Sequence, residues 1–479
     1  MRAATFKQQC KFLAIVITAT LALFIQDAQA ISIDQYIGLA KEKNPLLKSY
    51  QYSLESADLK TKAAEIDLAP VLTFGYVSTN DNSRPSQLGT DREAEVYNLG
   101  IAKKFFTGTL VKLDAQTGEF HNTGVLIPGF DQYSTGSVGV TIQQSLWKDS
   151  FGHGTRTKIS RLEKLAQVQK LANELQSRLA LYDVESSYWD YSLAQEDYRL
   201  KKANLERAQK IDKWTANRVG NGISDRADLM NAKALMALRE AQFIAAEEEL
   251  KSQEAKLRDN LQLADNEPTP QINGDLGTAR PYLINLIKMK NVEKIEARMA
   301  SLEAEARSLI ADETVDGLRP DLSVFGNYTT TSYDRDHNQA VSDMTKDDYP
   351  KNSVGVNFTW IFESGAKSAT RDAARKDALA SKLKADKKRS EGKVAWTDLV
   401  RKYDVLKSSV STLEKVANYQ RERAKAEQDK LSKGRTVTAN VVLAETDAAE
   451  AEINLLRTRS SLRKLEASSL FFIDTVSAE

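Results

Sequence analysis

Apolar residues recur every seven positions along two unusually long stretches of the chain. The first stretch, 155–218, contains neither proline nor glycine and would be about 96 Å long as a helix. After the turn Gly220-Asn221-Gly222 a second heptad series returns. A period of about 3.5 residues is typical of left-handed packing between helices, so a long helical hairpin is predicted. The two series are Leu165, Ala172, Leu179, Ser186, Leu193 and Leu200, and then Leu229, Met236, Phe243, Leu250 and Leu257.

The second half of the chain repeats this arrangement. In each half the returning helix is shorter than the long one. A further helical segment, 44–67 in the first half and 285–311 in the second, has about the length of the difference. The helical hairpins are predicted at 155–263 and 365–470, and the Pro-, Asn- and Gly-rich stretch 265–281 is predicted to connect the halves. The second-half heptad series is Val441, Ala448, Leu455 and Leu462, with Ala444, Ala451 and Leu465 three residues further on.

Strict alternation of apolar and polar residues marks the segments between the helices. It runs from Val354 through Val356, Phe358 and Trp360 to Phe362, and shorter versions lie at 72–76 and 322–328. About 9–11 alternating residues with aromatic ends is the length that a tilted outer-membrane strand needs. A half-buried strand of a soluble sandwich shows the same alternation, so the pattern alone leaves both interpretations open.

The motifs recur in the same order, which indicates a duplicated half-protein. Ser137-Val138-Gly139-Val140 returns as Ser353-Val354-Gly355-Val356. The predicted repeats are 31–264 and 282–479, with strands at about 71–147 and 321–362. Two strands in each half make four per chain, whereas a membrane barrel needs at least about eight. The chain is therefore expected to pool strands with other copies.

One alternating pair has no counterpart in the second half. It lies within 95–116, around Phe106-Thr107-Gly108-Thr109, and is typical of a β-hairpin. It is either two further barrel strands or a hairpin outside the barrel. The room between the apparent strands 72–80 and 134–147 favours the barrel.

The first 30 residues have the organisation of a secretory signal. Arg2, Lys7 and Lys11 precede an apolar run at 12–25, and Ala28-Gln29-Ala30 has the small-x-small pattern of a cleavage site. The apolar run is too short for a membrane anchor. Ile31 is therefore predicted to begin the mature chain, which would lack the single cysteine, Cys10, and any disulfide.

Charge and composition exclude several classes of protein. The full chain carries 67 basic and 66 acidic residues, and removal of the signal leaves 64 and 65, a net charge of −1. This balance gives no nucleic-acid footprint. After the signal no apolar run reaches 18 residues, so no transmembrane helix is expected.

Enzyme chemistry lacks candidate residues. The three histidines, His121, His153 and His337, fall in Gly-, Asp- and Asn-rich stretches predicted to be loops. No Cys/His spacing suits a metal, and Gly152-His153-Gly154 lacks the further glycines of a phosphate loop, so it is interpreted as a strand-to-helix joint. Neither catalysis nor a cofactor or metal is expected.

Taken together, these motifs resemble the outer membrane efflux protein family, the TolC-like channel-tunnels of Gram-negative bacteria. The resemblance covers about 31–470 and rests on the order of the motifs, twice over. The matching motifs are Asn44-Pro45, Pro70, Pro320, Ser353 to Phe362 with Ser364-Gly365-Ala366, Tyr188 and Asp190 with Trp396 and Asp398, and the turns at Gly222 and Gly434.

The resemblance implies a mixed α/β fold and a homotrimer. Its barrel in the outer membrane would have twelve strands, or eighteen with the extra hairpin, and would continue into a periplasmic helical coiled-coil barrel. It also implies a passive conduit of a tripartite efflux or type I secretion system, docked to a periplasmic adaptor and an inner-membrane transporter. The alternative is a periplasmic coiled-coil scaffold or adaptor. The cargo, whether drug, metal or protein, is not encoded in any motif.

The resemblance also implies where a gate and two joints lie. The helix tips at Gly222 and Gly434 are expected to form the periplasmic constriction. Where the family often has an aspartate six residues after the second tip glycine, this chain has Asn440, so an acidic ring there is doubtful. The charged gate candidates are Asp225, Asp228 and Arg435, with an Arg435–Asp228 pair expected. Pro70 and Pro320 are the expected helix-to-strand joints, because proline ends a helix.

Overall fold

The structure is a computed structural model that describes residues 30–81, 90–123, 131–277, 281–289, 291–346 and 348–474. Apart from Ala30, the expected signal sequence lies outside these residues. The helices described are α1 (Ile33–Lys43), α2 (Pro45–Ala63), α3 (His153–Gly220), α4 (Arg226–Asn260), α5 (Pro281–Ile287), α6 (Ile295–Gly317), α7 (His337–Asp343), α8 (Ser364–Ser432) and α9 (Thr438–Ala467). The strands described are β1 (Val71–Asn80), β2 (Thr90–Lys104), β3 (Thr109–Thr123), β4 (Gln132–Ser145), β5 (Val292–Lys294), β6 (Asp321–Asp334), β7 (Pro350–Thr359) and β8 (Phe472–Asp474).

The chain forms two compact units, and each draws on both halves of the sequence. The helical unit contains residues 30–53, 173–295 and 390–474. The sheet unit contains residues 54–172 and 296–389. Among the described residues, no helix combines the length and the apolar character needed to cross a membrane.

Aromatic residues form the largest core of the helical unit. Tyr36 of α1 and Tyr188 of α3 are completely or almost completely buried, with ring centroids 5.4 Å apart. The Tyr188 hydroxyl donates to the carbonyl of Asn273 at 2.8 Å, and burial raises the pKa of this phenol to about 12. Ile31 lies beside it and forms a parallel bridge with Ile272, so the connecting stretch is tied to the core.

The heptad prediction is confirmed for most of α9 and shifted for α4. Val441, Ala444, Ala448, Ala451 and Leu462 are buried, as the pattern predicts, whereas Leu455 and Leu465 are half-buried. On α4 the fully buried series is instead Ala232, Arg239, Ala246 and Gln253, and most of the predicted series is only half-buried. The sequence pattern missed this register because two of its four members are polar.

A buried carboxylate on α9 explains why an arginine can lie among the buried residues of α4. Glu445 of α9 accepts hydrogen bonds from Arg207 of α3 at 3.0 Å and from Gln428 of α8 at 2.5 Å. Arg239 of α4 donates to the Glu445 carbonyl at 3.5 Å, so all four long helices meet here. Burial lowers the pKa of Arg239, and the charge of Glu445 opposes that effect.

The sheet unit contains a continuous antiparallel sheet in the order β1-β2-β3-β4-β6-β7. The extra hairpin is β2 and β3, which pair with each other and with β1 and β4 on either side. It therefore belongs to the sheet. Helices continue from one end of this sheet, because β1 and β6 begin there and β4 and β7 end there; this is called the helix end.

Three local predictions differ from the structure, and one short helix was not predicted. The helix predicted at 285–311 is interrupted at 288–294, where β5 pairs with β8 near the C-terminus. The alternation through Phe362 outlasts its strand, since β7 ends at Thr359. His121 lies within β3, and His153 and His337 are the first residues of α3 and α7, so none of them lies in a loop. The short helix α7 gave no sequence signal.

Candidate functional site

The two faces of the six-stranded sheet have opposite chemistry. Cross-strand register assigns alternate residues to each face, and one face, here called the apolar face, is hydrophobic on every strand. Its residues are largely exposed, for example Phe74 at 72% and Val356 at 63%. The apolar face consists of Leu72, Phe74, Tyr76, Tyr97, Leu99, Ile101, Val111, Leu113, Ala115, Val138, Val140, Ile142, Leu322, Val324, Tyr328, Val354, Val356 and Phe358.

The opposite face, here called the polar face, carries hydrogen-bonding side chains at its centre. Asn327 donates to the Thr141 hydroxyl at 2.8 Å, and Gln143 donates to Ser323 at 3.1 Å. Phe325 is an aromatic exception within this region. The central polar residues are Thr73, Asn98, Lys112, Asp114, Gln116, Ser137, Thr141, Gln143, Asn327, Thr329 and Asn357. One wall can thus face hydrocarbon on one side and water on the other.

The apolar residues form a band that runs obliquely to the rows of residues paired across the strands. The row through Phe74 crosses Leu99, Ala115, Val138 and Thr330 and reaches Pro350 on β7. The centre of the apolar run on β7 is Val356, six residues further on after five strand-to-strand steps. At about 3.3 Å per residue and about 4.8 Å per strand, this drift corresponds to a strand tilt of about 40°. Membrane barrels have tilts of about 35–45°.

Both edges of this sheet are unpaired within the described part of the chain. The edge strands β1 and β7 are each ten residues long. β1 begins at the helix end and β7 ends there, so the two edges run in opposite directions. Each can therefore form an antiparallel ladder with the other edge of a second copy, and exposed edges of this kind favour such pairing.

A half-buried carboxylate organises the joint between β4 and α3. The Asp149 carboxylate accepts a hydrogen bond from the ammonium of Lys104, on β2, at 2.7 Å. It also accepts hydrogen bonds from the N–H and the hydroxyl of Thr155, at 2.7 and 2.6 Å. Its own N–H donates to Asp316 at 2.9 Å. Burial alone would raise the pKa of the Asp149 carboxyl, but Lys104 and Thr155 together hold it below its ordinary value.

Two glycines let the inserted hairpin reach this joint. Gly152 has φ +79°, and a β-carbon there would lie 1.8 Å from the carbonyl oxygen of Phe106. Gly108, in the β2–β3 turn, has φ +73° and lies against the Gly152 backbone. The turn of the extra hairpin and the start of α3 are therefore in direct backbone contact, which only residues without a side chain allow.

The predicted joint prolines lie at the strand starts rather than at the helix ends. Pro70 immediately precedes β1, but α2 already ends at Ala63 and a short 3-10 turn, Ile66–Leu68, intervenes. Pro320 immediately precedes β6, three residues after α6 ends at Gly317. The Pro320 carbonyl accepts a hydrogen bond from the Lys148 N–H at 3.1 Å, which connects the start of β6 to the segment that follows β4. A role of these prolines in assembly stays a prediction.

The tips at Gly222 and Gly434 have the same backbone structure. Gly222 has φ +71°; its N–H donates to Val219, and the Ile223 N–H donates to the Arg218 carbonyl. Gly434 has φ +69° and makes the equivalent pair of bonds with Leu431 and Lys430. Both are Schellman motifs, in which glycine adopts the left-handed conformation that closes a helix. The two tips therefore share the same backbone hydrogen bonds.

The polar side chains at the two tips are arranged differently. At the first tip Ser224 donates to Asp228 at 2.7 Å, and Asp225 is exposed at the N-cap of α4. At the second tip Asn440 donates to Thr436 at 3.1 Å, and Thr436 donates to Glu427 at 3.0 Å. Lys430, followed by Thr436, lowers the pKa of the Glu427 carboxyl. The second tip thus carries its carboxylate seven residues before the glycine.

Sequence reasoning missed Arg218, the cation of the first tip. Its guanidinium lies 4.6 Å from the centroid of the Trp214 ring and 3.9 Å from the β-carbon position of Gly434. A cavity of about 360 Å³ lies between the tips, lined by both glycines, Arg218 and Asp228. Arg435 is exposed, and no ion pair joins it to Asp228 within the described chain. The signal that could have found Arg218 is a cation in the last turn, one helical turn after a tryptophan.

Comparison with known proteins bears on this geometry. Residues 36–262 match the family model described as outer membrane efflux protein. Over this stretch, just under half of its length, the chain is similar to the outer membrane efflux protein family. The outer membrane efflux protein BepC of Brucella suis biovar 1 (strain 1330) is 26% identical over 191 residues, which is 39% of this chain and 40% of that protein. The match therefore covers less than half of the length of this curated relative.

Solved structures share the fold across most of the chain. The outer membrane protein VceC of Vibrio cholerae is 12% identical with a TM-score of 0.63, over 91% of this chain and 94% of that chain. CusC, described in connection with folding and transmembrane channel formation, is 14% identical with a TM-score of 0.61, over 92% and 91%. The chain thus shares the mixed α/β fold of these solved structures, as the sequence motifs predict.

Proposed function

We propose that this protein is a channel of the outer membrane that conducts substrates passively from a periplasmic adaptor and an inner-membrane transporter. The two-faced sheet is the observation that carries the proposal. A hydrophobic outer surface, a polar inner surface and a tilt of about 40° are what a wall between lipid and water requires. Similarity to an efflux family supports the direction of transport.

Three copies complete the wall. Six strands per copy, with open edges that run in opposite directions, give eighteen strands in a trimer. Barrels of about 16–18 strands enclose an aqueous channel. The twelve-stranded alternative requires the β2–β3 hairpin to leave the wall, and its continuous pairing with β1 and β4 argues against that.

The tips form the periplasmic entrance of this channel. Gly222 and Gly434 reverse the two long hairpins with equivalent turns, and Arg218, Asp225, Asp228, Arg435 and Asn440 lie around them. Three such pairs of tips would surround one opening. The long helices α3, α4, α8 and α9 then line the periplasmic tunnel.

Disulfide cross-linking between copies tests the wall directly, because Cys10 is the only cysteine of the chain. Asn357→Cys on β7 is combined with Thr73→Cys or Gly75→Cys on β1, all on the polar face. Oxidation of the protein in its membrane is expected to give covalent dimers and trimers and no larger ladder. Asn357→Cys alone is the matched control. Monomer only, in both combinations, would refute pairing between β1 and β7.

Fractionation separates this proposal from a periplasmic scaffold or adaptor. The channel is expected in the outer-membrane fraction, to require detergent, and to have a light-scattering mass of three protomers. A protein released into the periplasmic fraction without detergent would contradict the channel and favour the scaffold.

A further inference from the structure

Two cation–aromatic pairs lie where the apolar face ends, next to the helix end of the sheet. On β2 the apolar residues Tyr97, Leu99 and Ile101 are followed on the same face by Lys103 and then Phe105. The Lys103 ammonium is 5.2 Å from the centroid of the Phe105 ring. Phe105 is 40% exposed, so both groups are open to the surroundings of this face.

The second pair lies just beyond the end of β7, the edge strand farther from β2. Beyond Phe358 the alternation continues with Trp360 and Phe362, whose rings meet edge to face at 5.1 Å. Lys367, in the first turn of α8, holds its ammonium 5.3 Å from the centroid of the Trp360 ring. Trp360 is 50% exposed and Phe362 is 84% exposed.

These ammonium groups differ from neighbouring lysines in lacking an acidic partner. Lys104 forms a salt bridge with Asp149, and Lys158 forms one with Asp67, so the charges of these two lysines are neutralised. Within the described part of the chain, no carboxylate lies within 4.0 Å of Lys103 or Lys367. Each therefore presents an unneutralised positive charge beside an exposed aromatic ring.

The charge on this face changes sign along the strands. At the end away from the helices, Glu95 and Glu119 lie directly opposite each other in the β2–β3 register. The apolar face is thus acidic at one end and basic at the other. A lipid leaflet with negative headgroups fits only the basic end.

We infer that the Lys103–Phe105 and Lys367–Trp360 pairs bind the headgroup phosphate of anionic glycerophospholipids in the leaflet beside the helix end. The inference rests on the proposed function, which turns the apolar face to lipid. Aromatic rings favour the level of the headgroups, and a lysine stem lies along apolar surface while its ammonium reaches the phosphate. The exposed rings contact the glycerol and upper acyl chains, which inorganic phosphate lacks.

Native mass spectrometry of the detergent-purified full-length protein tests this inference. The protein is exposed to mixed micelles of phosphatidylglycerol and phosphatidylcholine, and retained lipids are counted. The wild type is expected to retain phosphatidylglycerol preferentially, and Lys103→Gln with Lys367→Gln should lose more than half of that preference. Lys103→Arg with Lys367→Arg should keep it, and Lys415→Gln, at an exposed lysine of α8 within the helical unit, should not change it.

Several results would overturn the inference while leaving the channel intact. These are equal retention of both lipids by a trimeric wild type, unchanged preference in the double Gln variant, or displacement of the lipid by inorganic phosphate. If the Gln variant does not assemble, the charge reversals Lys103→Glu and Lys367→Glu are compared singly with Lys415→Glu. A wild type without trimer mass or detergent dependence would instead refute the proposed function.

Discussion

Gly152 and Gly222 have similar backbone conformations, with φ +79° and +71°, in different surroundings. A β-carbon at Gly222 meets nothing within 4 Å, whereas one at Gly152 would overlap the Phe106 carbonyl. The same substitution therefore separates the cost of the left-handed conformation from the cost of close packing.

Gly222→Ala is expected to cost roughly 1–2 kcal/mol, the penalty of a left-handed alanine. Gly152→Ala should cost on the order of 3–5 kcal/mol, because a backbone oxygen must also move. The midpoint for heat-induced loss of the oligomer in detergent measures both. Equal decreases in this midpoint for the two variants would show that the close approach of the Phe106 carbonyl to Gly152 adds no cost.

Asp149 predicts a defined response to acid. The pKa of the Asp149 carboxyl is lower in the folded protein than in the unfolded chain, where it is about 3.9. The carboxylate therefore contributes fully to stability above about pH 3.9, and this contribution is lost as the pH falls through the pKa of the folded state. Asp149→Asn keeps the shape and suits the left-handed φ of +53°. It should cost about 1.5–3 kcal/mol at neutral pH through weaker bonds from Lys104 and Thr155.

The control for this prediction is the pH profile of each protein. Below about pH 4 the thermal midpoints of wild type and Asp149→Asn should converge, because protonation removes the same charge. A constant difference down to low pH would mean that the carboxylate charge does not hold the joint.

At the scale of a strand, Val356 and Asn357 are neighbours on opposite faces of β7. Val356→Lys places a charge on the apolar face and should destabilise the membrane-inserted protein by about 2–4 kcal/mol. Asn357→Lys places the same charge on the polar face and should cost much less. Folding yield into lipid vesicles, titrated with urea, measures the difference. The reverse order would mean that the faces are assigned the wrong way round.

The helices show how far a heptad pattern reaches at this scale. On α9 the pattern predicted the small and aliphatic buried residues, whose spacing is visible, but not the buried Glu445, Glu452 and Arg463. On α4 the buried register includes Arg239, whose burial depends on Glu445, a residue 206 positions away. No local pattern carries that partner, so the register was predicted wrongly.

For the whole molecule, the tips give a prediction about conductance. Arg435 and Asp228 form no pair within the described chain, so any pairing between them joins neighbouring copies. An exposed pair contributes about 0.2–1 kcal/mol, and three copies up to about 3 kcal/mol, towards a closed entrance. Arg435→Glu should raise single-channel conductance in planar bilayers, and adding Asp228→Arg should restore the low value.

Lys433→Glu provides the matched control for this experiment, since Lys433 is also exposed at the second tip. It should leave conductance nearly unchanged if the effect is specific to Arg435. Identical conductance in wild type, Arg435→Glu and the double variant would exclude this pair from the gate.

The sequence by itself determined the long helical hairpins, the alternating strands, the tip glycines and the family. These features are set locally, by spacing along a helix or strand and by the need for a left-handed residue where a helix ends. The tip turns were therefore found from Gly222 and Gly434 alone.

Only the tertiary structure decided which residues complete the joint and the tips. Lys104, Asp149 and Asp316 are far apart in the chain, and they meet because the end of β2 and the end of α6 both lie at the joint between β4 and α3. Arg218 and Glu427 also lie at the tips, and no sequence motif pointed to them. Sheet order also decided that the β2–β3 hairpin belongs to the wall. Hydrogen bonds between distant strands set that order, and the sequence of each strand is compatible with several neighbours.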